Sequence, residues 1–283
     1  MQRLRTYTGR LNIKGRYLAL AAAIVLVAAG ITIPLTVLSG STSQASSSAQ
    51  ASLHAVALTS FAGYAGQAPL PGAPRLEVNA IASAGGQRLA AGSADGYPAI
   101  WRQHPDGAWT LVTSPDDLAS RSIPATLTSV AHGPAGWLAV GVPGPVLLTS
   151  ADGTTWRPAA GNIAANLGKI SVVSAAAGPR GYVVLGKLAV RGGCVADVWW
   201  SPNLTSWTRA HDVNGTAGSS QTLAVAALPD GFVSVGSHHG RPAAWVTSDG
   251  TTWRTIFQSS PVNAQLNQIA VIGAQVVATG GSD

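Results

Sequence analysis

The chain is poor in the groups on which most chemistry and most covalent stabilisation depend. It has one cysteine, one methionine and one glutamate in 283 residues, and only 10% of its residues are charged. A lone Cys194 cannot close an internal disulfide, so the body must be held by packing, with an intermolecular pairing as the alternative. A single glutamate, Glu77, leaves little for the paired carboxylates of glycoside hydrolysis. No phosphate-cradling glycine loop, zinc-ligand spacing or Ser/His/Asp constellation stands out, and neither cofactor nor metal is expected. No segment after Leu38 has the 3.6-residue periodicity and caps of a long helix. The 46% hydrophobic content argues against disorder.

The net charge of +6 suggests nucleic acid until its placement is considered. Arg3, Arg5, Arg10, Lys14 and Arg16 supply five of the 17 basic residues with no acid among them, which leaves 12 against 11 acids in the rest. A nearly neutral body attracts phosphate weakly, so no nucleic-acid partner is expected.

Residues 17–38 carry no charge, and at 1.5 Å per residue that run is long enough to cross a bilayer. The reading is a basic cytoplasmic tail at 1–16, a transmembrane helix at 17–39, a flexible Ser/Ala/Gln-rich and then proline-rich linker at 40–77, and an extracytoplasmic body at 78–283. The alternative is secretion after cleavage near Ala49-Gln50-Ala51.

What the body does have is a repeat. Thr149-Ser150-Ala151-Asp152-Gly153-Thr154-Thr155-Trp156 returns closely at Val246-Thr247-Ser248-Asp249-Gly250-Thr251-Thr252-Trp253. Looser copies end at Trp109 and Trp207, so the marker tryptophans stand 47, 51 and 46 residues apart. Each copy has two apolar runs joined by a Gly/Pro turn, the second ending on Gly92, Gly141, Gly186, Gly236 or Gly280. A third run and the marker tryptophan follow in four of the five copies. Four short strands per unit at this period predict an all-β protein, a β-propeller of four-stranded antiparallel blades with four complete copies and one partial. A β-sandwich is the alternative architecture. For the partial fifth copy three outcomes stay open: completion by Leu53 to Phe61, pairing with another chain, or a longer propeller of which this is a piece.

The repeated turn resembles the Asp box of sialidase-like β-propeller proteins: a Ser or Thr, an Asp two residues on, a Gly, then Thr and an aromatic. Ser150, Asp152, Gly153, Thr155 and Trp156 carry it in one copy, and Thr247, Asp249, Gly250, Thr252 and Trp253 in another. Asn203 and Trp207 mark a degenerate copy, and Asp106-Gly107-Ala108-Trp109 another. The match departs from the family by one residue, because Gly follows Asp directly. The expected role is structural: carboxylate to turn N–H groups, glycine at positive φ, tryptophan between sheets. The resemblance also implies the alternative of a sialidase-like glycoside hydrolase. The chain is thin in the arginine cluster, Tyr–Glu pair and acid which that activity needs, with Tyr97 and Tyr182 the tyrosines of the repeats and Arg121-Ser122-Ile123-Pro124 a faint echo of the arginine signature. No catalytic residue is assigned. The favoured reading is a binding module for a glycan or cell-surface protein, and a truncated, non-functional propeller is a further alternative.

Ligand contacts are expected on the opposite end from the Asp boxes, in the loops between second and third strands. Asp95, Tyr97, His238, His239 and Arg241 are the candidates there, and Lys187 to Ala196 is expected to form a longer loop beside them. His238 and His239, read as neighbours in a strand, should point to opposite sides, which disfavours shared metal ligation, and a solvated loop is the favoured reading of this stretch.

Overall fold

The computed structural model describes residues 9–11, 61, 71–72, 75–113, 124–143, 146–160, 163, 170–190, 193–210, 220–258, 263–272 and 275–282. The expected transmembrane helix and most of the linker lie outside them. Among the described residues the chain is all-β, without helix, and no helix is long and apolar enough to cross a membrane.

Four sheets each contain four antiparallel strands in chain order. The first has β2 (Leu76–Ala84), β3 (Gln87–Ala94), β4 (Tyr97–Gln103) and β5 (Trp109–Leu111). The second has β6 (Thr126–Gly133), β7 (Gly136–Val142), β8 (Val146–Ser150) and β9 (Arg157–Pro158). The third has β10 (Ile170–Gly178), β11 (Gly181–Val190), β12 (Gly193–Ser201) and β13 (Thr208–Arg209). The fourth has β14 (Ser220–Leu228), β15 (Gly231–His238), β16 (Arg241–Thr247) and β17 (Arg254–Gln258). The fifth holds β18 (Ala264–Ile272) and β19 (Gln275–Ser282), with β1 (Gly9–Leu11) on the outer edge of β19.

Each sheet packs face to face on the next in sequence, and the first strands β2, β6, β10, β14 and β18 meet one another across successive interfaces. The sheets therefore converge at their first strands, as propeller blades do. First and fifth sheets share no comparable interface among the described residues. Sandwich packing of two sheets, the alternative expectation, does not describe five sheets stacked in series.

The second strand of each complete blade is covered on both faces, which is why its residues read as a nearly unbroken apolar run rather than an alternating one. Leu89, Ala91 and Ile100 of the first sheet pack on Leu127, Trp137 and Trp156 of the second. Leu138, Val140 and Leu147 pack on Tyr182, Trp199 and Trp207 of the third. Val183, Leu185 and Val198 pack on Phe232, Trp245 and Trp253 of the fourth. The second, third and fourth blades thus turn these tryptophans toward the blade before them, whereas Trp200 of the third blade faces the fourth. The first blade has no predecessor, and Trp101 and Trp109 are covered instead by Phe61, at ring-centroid distances of 5.3 and 4.9 Å. Phe61 closes the segment whose completion of the fifth sheet was one of the three open outcomes, and it sits on the first sheet.

The glycine that ends each second run faces the same irregularity in all five sheets, and in four of them it is needed for close backbone approach. A β-bulge breaks the register of the first strand directly opposite it: at Val78/Ala80 for Gly92, Leu127/Ser129 for Gly141, Val172/Ser174 for Gly186, Thr222/Ala224 for Gly236 and Leu266/Gln268 for Gly280. The bulged backbone crowds the second strand. A Cβ on Gly236 would lie 1.8 Å from the Gln221 carbonyl oxygen, whereas one on Gly186 would meet nothing closer than 3.3 Å.

Gly236→Ala should therefore cost about 2–3 kcal/mol, because backbone rather than a flexible side chain must move, and Gly186→Ala should cost less than about 1 kcal/mol. Denaturant titration followed by tryptophan fluorescence checks the order of the two; equal costs would remove backbone crowding as the reason for glycine at position 236.

Candidate functional site

The strand meander places the turns between first and second strands, and between third and fourth, at one end of each blade. The turns between second and third strands lie at the other end.

At the first end the repeated turn is a hydrogen-bonded knot. Asp152 Oδ1 accepts from the N–H groups of Thr154 and Thr155, both at 2.8 Å, while Ser150 Oγ accepts from Gly153 N–H at 2.9 Å. Asp249 repeats this with Thr251 and Thr252 at 2.8 and 2.7 Å, and Thr247 Oγ1 with Gly250 at 2.9 Å. Gly153 and Gly250 take φ of 74° and 78°. In the degenerate copy Asn203 Oδ1 receives Thr205 and Ser206 N–H at 3.1 and 2.9 Å, so an amide oxygen suffices to hold the turn. The indoles of Trp156, Trp207 and Trp253 donate back to the carbonyls of Gly153, Leu204 and Gly250 at 3.1, 3.1 and 3.2 Å. In the first copy the Asp stands one residue closer to its tryptophan: Asp106 accepts from Ala108 N–H at 3.0 Å, and the buried Trp109 Nε1 finds no partner among the described residues.

Each knot also grips the neighbouring blade. Gln87 Nε2 donates to the Asp152 carbonyl at 3.3 Å, and a Cβ on Gly250 would strike the Trp200 ring of the preceding blade. Tyr182 bridges the second and third blades: its hydroxyl receives Ala135 N–H at 2.7 Å and donates to the Gly136 carbonyl at 2.9 Å. Burial pushes that phenol upward against the opposing effect of the backbone bonds it makes. With both hydroxyl functions engaged in a bridge between blades, Tyr182 is a structural residue. Glu77 Oε2 accepts from Ser93 Oγ at 3.2 Å within the first sheet.

At the second end the candidates separate into two turns. Asp95 and Gly96 have φ of 51° and 85°, and His239 and Gly240 have φ of 50° and 67°, so both hairpins close through two left-handed residues, the type I′ pattern. Asp95 is buried, and its N–H donates to the Arg75 carbonyl at 2.6 Å. Tyr97 and Arg241 open the following strands β4 and β16. The two histidines do not diverge. Because His239 sits in the turn rather than in an extended strand, its ring lies 4.3 Å from that of His238. Burial first, and then the charge of His239, lower the pKa of His238. Among the described residues no three His, Cys, Asp or Glu side chains converge to hold a metal.

The expected long loop from Lys187 to Ala196 is instead a continuation of the sheet, with Lys187 opposite Ala196, Leu188 opposite Val195 and Val190 opposite Gly193. Alternating apolar and β-branched residues let β11 and β12 extend past Gly186 by two residues more than β15 extends past Gly236, roughly 7 Å of added reach. This hairpin is the tallest feature of that end. At its base the buried Asp197 accepts from Arg209 Nε at 2.5 Å and from Trp199 Nε1 at 3.2 Å.

Sequence reasoning also missed a cleft of about 600 Å³ at the first end of the first blade, bordered by Gln87, Arg88, Gln103, His104 and Pro105. Its polar groups are largely paired with one another or the backbone: Arg88 Nη1 to Gln103 Oε1 at 3.2 Å, Gln103 Nε2 to the Gly107 carbonyl at 3.3 Å, and His104 Nε2 with Thr110 Oγ1 at 2.7 Å. These residues come from two hairpins some fifteen positions apart, with no local pattern to flag them.

Blades of four antiparallel strands stacked in series define the class, a β-propeller-like fold. No family model matches the chain, and no curated protein sequence does. Among solved structures it is similar to YCF48 from Cyanidioschyzon merolae (19% identity over 73% of this chain and 65% of that one, TM-score 0.48). It is also similar to a putative glycoside hydrolase from Parabacteroides distasonis (13% identity, 73% and 86% covered, TM-score 0.40). A third similarity is to the polysaccharide lyase Uly1 (8% identity, 72% and 58% covered, TM-score 0.37). The chain thus spans less than two thirds of the first and third of these proteins.

Hydrogen bonds to the charged form, chiefly from Thr155 N–H and then from Thr154, hold Asp152 well below the ordinary carboxylate value of 3.8. For Asp249 burial is the largest single influence and acts upward, but bonds from Thr252, Thr251 and Thr247 together bring it down to about 2. Carboxyls that ionise more readily folded than unfolded stabilise the protein fully above the unfolded value, and lose that contribution as pH falls through the folded one. Asp152→Asn with Asp249→Asn should flatten the loss of stability between pH about 4 and about 2, and change stability at pH 7 by no more than about 1 kcal/mol. Denaturation midpoints across that range are the measurement, and an unchanged acid slope contradicts the assignment.

Proposed function

We propose that this chain is a membrane-anchored, extracytoplasmic β-propeller serving as a binding module for a glycan or protein partner, with Asp-box turns as its structural staples. The observation that carries the reading is the unequal use of the two blade ends. At the first end, hydroxyls, carboxylates, amides and indoles bind turns or clasp neighbouring blades. At the second end stand the raised hairpin of the third blade, the exposed His239 beside His238, and Arg241 and Tyr97 at the mouths of tight turns. Rigid hairpins carrying aromatic and cationic side chains suit recognition of sugars or protein surfaces, because little ordering entropy is lost on contact.

The uncharged run at 17–39 and its basic flank support the anchored topology. The pairing of residues 9–11 with β19 does not fit that topology, which puts the tail and the body on opposite sides of the bilayer.

Full-length protein in detergent micelles, screened against immobilised glycans and cell-surface proteins, tests the function. A ligand found this way should bind at least tenfold more weakly to the Tyr97→Ala and Arg241→Ala variants, and with unchanged affinity to Gln87→Ala. Equal losses from all three, or no binding to either panel, would overturn it.

A further inference from the structure

We infer that Asn203, in the turn between the third and fourth strands of the third blade, is an acceptor for an N-linked sugar. The inference rests on the extracytoplasmic placement proposed above, because this modification belongs to exported surface loops. Asn203-Leu204-Thr205 has the Asn-x-Thr spacing with no proline between, one of two such sequences in the chain. The other, Asn214-Gly215-Thr216, lies outside the described residues.

Such a sequence serves as a site only where the amide can carry a sugar without loss of the fold, and the geometry of this turn meets that condition. Oδ1 alone holds the turn, accepting from Thr205 N–H at 3.1 Å, Ser206 N–H at 2.9 Å and Thr205 Oγ1 at 3.0 Å. Nδ2 makes no hydrogen bond among the described residues, and Asn203 is exposed. Asn79 is the contrast: its Nδ2 donates to Thr126 Oγ1 and the Leu127 carbonyl of the next blade at 2.8 and 3.0 Å, bonds that a sugar would displace. The second and fourth blades have Asp152 and Asp249 at the position of Asn203, each also two residues before a threonine. Their carboxylates hold the same turn but have no nitrogen to modify. The exchange of Asp for Asn in the third blade, which the turn itself does not require, therefore adds an acceptor at one of three equivalent corners. In the transfer, Nδ2 bonds to the anomeric carbon of a saccharide carried on a lipid diphosphate. The bond from that carbon to the diphosphate oxygen breaks, the lipid diphosphate departs, and one Nδ2 proton passes to a base of the transferase. The product is still an amide with its oxygen lone pairs intact, so the turn can close on it.

Full-length protein synthesised with microsomal membranes that carry the transferase and its lipid-linked saccharide, and bearing an Asn-Ala-Thr reporter fused after Asp283, tests it by peptide mass mapping. The reporter registers export, and each site is read as a saccharide mass that a glycan-releasing amidase removes. The expected result is a modified reporter together with a sugar on the peptide containing Asn203. That sugar should be lost in Asn203→Asp and in Thr205→Ala and kept in Thr205→Ser. Asn203→Asp restores the carboxylate turn of Asp152 and Asp249, so its denaturation midpoint should match that of the enzymatically deglycosylated parent, which separates loss of the acceptor from loss of the fold. Asp152→Asn should gain a sugar at position 152. A modified reporter with Asn203 bare overturns the proposal and leaves the extracytoplasmic placement standing, whereas a bare reporter with Asn203 bare overturns both.

Discussion

Most of this structure depends on one packing requirement: the second strand of each blade is apolar on both faces, so it needs another sheet on each side. Leu138, Ala139 and Val140 follow one another in β7 without a polar residue between them, and each is fully buried. A single sheet could cover one face of such a strand but not both. Stacking in series satisfies the requirement for every interior blade and leaves it unmet at the two ends. The first blade meets it with Phe61 laid on Trp101 and Trp109. The fifth meets it in part, and Val277 faces solvent where its counterpart Val233 is buried.

The two ends of the blades reverse the chain by different turns. At one end the chain must pass from the third strand to the fourth while a tryptophan swings back toward the preceding blade, and a knot of Ser or Thr, Asp or Asn, and backbone N–H groups holds that path. At the other end two left-handed residues suffice to reverse the chain, as at Asp95-Gly96 and His239-Gly240. That reversal is set by backbone conformation, with glycine as the second residue in both turns.

The repeat, the strand order and the part played by the Asp and Trp of each turn were legible in the sequence, because they rest on contacts within a dozen residues and recur at a regular spacing. The loop favoured for the histidine pair agrees with the exposed turn at His239 and Gly240, and the divergence expected of a strand does not arise. Alternation holds only in extended backbone, and His239 leaves it with a φ of 50°. The stretch from Lys187 to Ala196, expected as a longer loop, pairs across two strands from Lys187 opposite Ala196 to Val190 opposite Gly193. The Tyr182 bridge, the buried Asp197 with Arg209, and the cleft beside Arg88 and His104 each unite groups from separate hairpins or separate blades. No spacing in the chain announces them.

By itself, then, the sequence determined the unit: four short strands, a glycine at a fixed place in the second, and a tryptophan-ended turn whose bonds are local. Only the tertiary structure decided why that glycine is needed, since the bulge opposite it belongs to a different strand. It also decided which blade each tryptophan packs against. Those outcomes follow from backbone groups and faces that meet across the stack, and the order of residues within one repeat does not contain that meeting.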